Sequence, residues 1–181
     1  LCSASPRRLE LLRQIGIEPA EIFAPDIDET PRKGESPRGH ALRLAVEKLR
    51  ACDRDAYVIA ADTVVAAGTR ILPKAETGEE TRKCLALLSG RRHRVYTAVA
   101  VRAPDGRQAS RTVLSVVGFA RLDAQQIEAY LGTGEWAQKA GGYAIQGAAA
   151  TFVNFLSGSY SGVVGLPLFE TFSLLRGLGY K

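Results

Sequence analysis

RVYTAVAVRAPDGRQASRTVLSVVGF (Arg94–Phe119) is a pair of β-branched, largely alternating runs set around Pro104-Asp105-Gly106. Proline presets its own φ, aspartate bonds backbone two residues on, and glycine takes positive φ, so these three residues make a turn. Arg94–Arg102 and Gln108–Phe119 therefore read as two strands, and strands joined so tightly run antiparallel. Elsewhere strand-like and helix-like segments alternate, the pattern of an α/β protein. The expectation is a mixed twisted sheet flanked by helices, not a doubly wound parallel one.

Working outward, Asp123 with Gln126 and Thr77 with Glu80 each match the capping-box spacing. They predict helices from Asp123 to Leu131 and from Thr77 to Leu88, the second stopped by Ser89-Gly90. Ser36-Pro37 opens a helix to about Cys52, with Leu42, Ala45, Val46 and Leu49 on its apolar face. Ser5-Pro6 opens another that ends at Gly16, and His40 falls on the polar side of its helix. Ala20–Ala24, Tyr57–Ala61 and Thr151–Leu156 read as strands, Thr63–Ala67 and Arg70–Leu72 as a hairpin around Gly68. A last helix runs from about Pro167 to Leu178. Leu1-Cys2 looks like the end of a further strand.

The chain has 181 residues, 46% hydrophobic and 24% charged, enough for one globular domain spanning 1–181. No apolar run nears the roughly 20 residues of a membrane helix. Three widely spaced cysteines with no C-x-x-C pair argue against a zinc site or disulfide framework and suit reduced thiols in a cytoplasm. The formal net charge of +5 favours an anionic partner. Aromatic residues make up only 7% and none interleaves with the basic clusters, so a small phosphorylated ligand is expected rather than a nucleic acid.

Four segments carry candidate chemistry. Ser3-Ala4-Ser5-Pro6-Arg7-Arg8 joins a strand end to a helix N-terminus, where free N–H groups and the dipole favour phosphate. It is equally a capped helix with solvated arginines. Asp26-Ile27-Asp28-Glu29 places three carboxylates in a loop, a solvated cluster or an oxygen-only site suited to Mg²⁺. Asp62 follows one apolar run and precedes another, which reads as a strand end, where α/β proteins place ligand sites. It can hold a divalent cation or deprotonate a water, or simply form a turn. Lys74 can meet phosphate. In Lys139–Gly147 (KAGGYAIQG) the glycines permit close backbone approach, and the Gln146 amide can read a base edge. Ser89-Gly90-Arg91-Arg92-His93 is a further basic turn. No Walker loop and no Ser/His/Asp set is present.

Together these segments resemble the Maf family of nucleotide pyrophosphatases. The likeness runs through SASPRRLELL (Ser3–Leu12), DETPR (Asp28–Arg32), LAVEKLRA (Leu44–Ala51), ADTVV (Ala61–Val65), LSGRRHRVYTAV (Leu88–Val99), KAGGYAIQG and VVGLPLFET (Val163–Thr171). It implies an ITPase-like mixed α/β fold with a cleft between two lobes, often in a homodimer. It also implies hydrolysis between the α- and β-phosphates of a nucleoside triphosphate, with Mg²⁺ or Mn²⁺ held by Glu29 and Asp62. By the same resemblance Asp62 is the catalytic residue, and Ser5, Arg8, Lys48, Lys74 and Lys139 line the nucleotide cleft. Arg7, Thr63 and Gln146 match the branch acting on dTTP and UTP. The branch acting on 7-methyl-GTP, which has an aromatic, a Gln and a Glu there, is the alternative, and a non-catalytic nucleotide or nucleic-acid binder linked to cell division is a second. Pro73-Lys74-Ala75 departs from the family's frequent Gly-Lys-Pro.

Overall fold

A computed structural model describes residues 1–181. Its main sheet has five strands: β1 (Val58–Ala67), β2 (Arg70–Ile71), β4 (Arg92–Arg102), β5 (Gln108–Phe119) and β7 (Val153–Ser157), in the order β2-β1-β4-β5-β7. The Arg94–Phe119 hairpin forms in the register the turn dictates, with Arg102 opposite Gln108, and Gly106 takes φ +85°. All the ladders of this sheet are antiparallel, and Cys2 adds a single parallel bridge to Ala60. The sheet is therefore mixed, as its sequence implies.

Helices cover both faces: α1 (Pro6–Gln14), α2 (Pro37–Ala51), α3 (Gly78–Leu88), α4 (Ala124–Thr133), α5 (Tyr160–Val164) and α6 (Leu168–Gly177). Both predicted capping boxes close, Thr77 with Glu80 and Asp123 with Gln126. Because strand side chains alternate, β1 feeds two cores. Ala60 and Val64 join Ala41, Ala45 and Leu49 of α2, while Ile59, Ala61 and Val65 join the larger core shared by α1, α3, α4 and α6.

Several segments depart from their sequence reading. Ala20–Ala24 is not a strand. It is exposed, and only Leu1 pairs with it, through Leu1 N–H to the Glu21 carbonyl at 2.7 Å and Phe23 N–H to the Leu1 carbonyl at 2.9 Å. One paired residue is too short a ladder to make a strand. Tyr57–Ala61 and Thr63–Ala67 are one continuous strand, because Asp62 and Thr63 keep the alternation and find partners on opposite faces. A 3₁₀ turn at Ala148–Phe152 takes up the start of the predicted last strand. His40, on the polar side of α2, is buried between Glu35 (2.9 Å) and Arg43 (3.0 Å). Two further strands, β3 (Lys74–Ala75) and β6 (Lys139–Ala140), make a small second sheet that the sequence does not announce.

His93 lies in the larger core, its Nε2 2.8 Å from the Tyr143 hydroxyl and its Nδ1 without a partner. Burial pushes its pKa down to about 4 from the usual 6.5. The folded protein thus keeps His93 neutral where the unfolded chain takes up a proton. Stability should therefore fall as pH drops from about 6.5 through 4. His93→Gln should flatten that decline, read from melting temperatures at pH 7 and pH 4.5.

Candidate active site

The cleft opens where α1 begins. Ser5 has the extended backbone of an N-cap, yet its side chain caps nothing. Its hydroxyl is therefore free for a ligand, beside the Arg7 N–H; Pro6 carries no N–H, and those of Arg8 and Leu9 donate to the Ser5 carbonyl. Arg8 is held deep in the cleft: Nε donates to the Gly165 carbonyl at 2.8 Å and Nη1 to Ser3 Oγ at 2.9 Å. Its Nη2 lies 3.4 Å from Thr63 Oγ1, and Thr97 Oγ1 donates to the Gly162 carbonyl at 2.7 Å and can accept from the Thr63 hydroxyl 3.2 Å away. Burial pulls the Arg8 pKa down, opposed by the attraction of Asp62 and Glu29. Gly165, at φ +144°, brings its carbonyl onto Arg8 with no side chain in the way.

Two adjoining hollows make up the cleft, sharing Ser5, Arg7, Arg8, Lys74, Gln138 and Lys139. Their contents differ. The inner one is lined by Thr63, Gln146, Tyr143 and Val163 among others. The outer one, about 370 Å³, is lined by Glu29, Lys48, Ser3 and Pro25. The small sheet sets one wall: Lys74 pairs with Ala140 and Ala75 with Lys139, so two lysines 65 positions apart stand on neighbouring strands. Lys139 Nζ donates to the Ala137 carbonyl at 2.8 Å.

Glu29, Lys48 and Asp62 form the centre of charge. Lys48 Nζ sits 2.6 Å from Glu29 Oε1 and 2.7 Å from Asp62 Oδ1, and Lys74 also pairs with Glu29. Burial pushes the Glu29 carboxyl up, but the hydrogen bonds and charges of Lys48 and Lys74 outweigh it and bring it to about 2. Asp62 is 1% exposed and lines neither hollow; Lys48 stands between it and the cleft. Asp62 is also not at a strand end. It lies in mid-strand opposite Ala98, with its side chain toward α2, which is why a lysine of that helix reaches it.

Every other residue expected at the site lines one hollow or both: Ser5, Arg7, Arg8, Glu29, Lys48, Thr63, Lys74, Lys139 and Gln146. Arg7 Nε is buried without a partner beside the hollow that holds Gln146. Sequence reading misses Ser3 as an Arg8 partner, Thr97 and Gly165, and it misses Gln138. That last residue is the one non-glycine at positive φ, +58°, and lines both hollows. Backbone strain of this kind clusters at functional sites.

A sheet-and-helix fold whose cleft combines cationic side chains, two converging carboxylates and an amide-bearing inner pocket defines a protein for small phosphorylated ligands. The sequence profile described as "Maf-like protein" matches residues 1–178, and the chain belongs to the Maf family. A protein of Novosphingobium aromaticivorans named dTTP/UTP pyrophosphatase is 59% identical, over 99% of this chain and 90% of its own. Another of that name from Caulobacter vibrioides is 56% identical, over 100% and 95%. The solved Nucleoside-triphosphatase / dITP/XTP pyrophosphatase of Mycobacterium abscessus aligns at TM-score 0.40 with 21% identity, over 67% of this chain and 72% of that one, too loosely to carry an argument.

Proposed function

We propose that this protein hydrolyses dTTP and UTP to the monophosphate and pyrophosphate. The observation that carries the reading is the division of one cleft. Thr63 and Gln146 line only its inner hollow, Glu29 and Lys48 only the outer one, and Arg7, Lys74 and Lys139 border both. The inner donors suit a base edge, and the outer cations suit a triphosphate. The names of the relatives, at 56–59% identity over nearly the whole chain, support the same reading.

Glu29 and Asp62 fit a resident Mg²⁺ or Mn²⁺, since both point an oxygen at one place, where Lys48 Nζ now bonds them both. An oxygen-only pair of carboxylates, completed by phosphate oxygens and water, is the usual Mg²⁺ arrangement. Bound there, such an ion neutralises phosphate charge as a Lewis acid. The chain supplies the rest. Asp62 takes the proton of the water that attacks phosphorus in line as the bond between α- and β-phosphate breaks. Arg8, Lys74 and Lys139 stabilise the departing pyrophosphate. Ser5 donates to a phosphate oxygen at the helix N-terminus.

The test is pyrophosphate release from dTTP, UTP and 7-methyl-GTP side by side. The two pyrimidine substrates should exceed the methylated purine at least tenfold in kcat/KM, and the opposite order refutes the assignment. Gln146→Glu replaces a donor amide with a carboxylate. It should cost dTTP turnover roughly 10- to 100-fold, the range for one lost base contact. The same reading places the enzyme in the cytoplasm as a homodimer. Phe169 (80% exposed) and Phe172 (45%), three residues apart on α6, support such an assembly by offering an uncovered apolar strip.

A further inference from the structure

The basic turn Arg91-Arg92 takes no part in the cleft. Where β4 begins and β5 ends, it joins Arg70 of β2, Arg94 of β4 and Arg121, which packs against Gly90. All five arginines are exposed, and none makes an ion pair or a side-chain hydrogen bond. Five unpaired guanidiniums in one place equal in number the formal excess of basic over acidic side chains in the whole chain, 24 against 19. The two hollows there, about 300 and 260 Å³, share no residue with the cleft.

The chemistry of the patch is specific. No lysine lines either hollow. Guanidinium forks grip phosphate oxygens in pairs, where ammonium groups act as point charges. The edge strand β7 brings Phe155 under Arg92, whose Cζ stands 3.7 Å from the ring centroid, and Asn154 beside it. Phe155 is 63 positions from Arg92 in sequence, and the fold brings the two together. From β2 to β7 the sheet end spans about 19 Å at ordinary strand spacing, enough to track several phosphates rather than one.

We propose that this arginine-ringed sheet end binds the phosphate backbone of a single-stranded nucleic acid, independently of the nucleotide cleft. Arg70, Arg91, Arg92, Arg94 and Arg121 contact phosphates, and the Phe155–Arg92 stack offers a platform for a base. Five such contacts on a single strand give a log–log salt slope of about −3.5.

The test follows binding of a fluorescein-labelled oligodeoxyadenylate by anisotropy from 50 to 300 mM salt. Three proteins are compared: wild type, Arg91→Ala/Arg92→Ala/Arg94→Ala, and a control of equal charge, Arg50→Ala/Arg111→Ala/Arg176→Ala. Circular-dichroism melts establish that each is folded. The patch variant should lose at least tenfold in affinity at 100 mM salt and about two units of slope, while the control keeps most of both. Three results would overturn the proposal. One is equal loss in the two variants, which marks a diffuse charge effect. Another is displacement of the oligonucleotide by dTMP, which places it in the cleft. The third is binding of polyglutamate as tight as that of the oligonucleotide, which assigns the surface to acidic protein segments.

Discussion

Asp62→Asn should lower kcat for pyrophosphate release from dTTP by at least 10³-fold, about 4 kcal/mol of barrier, while leaving the protein folded. The two halves of this expectation have different causes. Asparagine keeps the shape of a side chain that is 1% exposed, and its carbonyl oxygen still accepts the bond from Lys48 Nζ. Lys48 also keeps Glu29 at 2.6 Å, so the buried ammonium is not left unpaired. The stability loss should therefore stay near 1–2 kcal/mol, below the roughly 3–5 kcal/mol that follows when a buried charge loses its only partner. The amide, however, cannot take a proton from water, and it offers a metal no charge. A variant with wild-type melting behaviour and most of its rate would remove Asp62 from the mechanism.

How much of this was legible beforehand depends on the range of the interactions. The Arg94–Phe119 hairpin and both capping boxes were readable because alternation, turn residues and cap spacing act within a dozen residues. Asp62 was found for a reason that the structure replaces. Sequence placed it at a strand end, but it lies in mid-strand because Lys48, 14 residues earlier, satisfies its charge under α2. Nothing local marks that lysine, which by pattern is one more basic residue in the last turn of a helix. Only the family resemblance singled it out. The β3–β6 pair is two residues long on each side and joins positions 64 and 66 apart, so it carries no periodicity to detect. Gln138 is hidden for a related reason, since only the surrounding fold imposes positive φ on a glutamine. His40 does lie on the polar side of its helix, but its burial is not legible there, because Glu35 and Arg43 build the polar pocket that covers it.

The charge balance of the cleft explains how a divalent cation would arrive. Glu29 and Asp62 are already matched by Lys48 and Lys74, with Arg8 close by. A free cation meets no net negative charge there. On the proposed function, a triphosphate would draw the lysines and arginines to its own oxygens and so free the two carboxylates.

Lys48→Met tests that account and should have the largest effect on stability. The substitution preserves length and apolar stem but removes a cation whose side chain is 8% exposed. Glu29 retains Lys74, whereas Asp62 loses its only ion-pair partner. Stranding one buried carboxylate costs about 3 kcal/mol, a fall of roughly 6–12 °C in melting temperature for a domain of this size. Asp62→Asn added to Lys48→Met removes the stranded charge, so the double variant should melt higher than Lys48→Met alone. That inversion is the signature of a coupled pair, and simple additivity would rule the coupling out. Turnover of dTTP should fall at least 10²-fold, because the two carboxylates lose the group that aims them at one point. Millimolar Mn²⁺ without nucleotide should raise the melting temperature of Lys48→Met and barely move that of the wild type. If both respond equally, the ammonium does not occupy the place where a metal ion belongs.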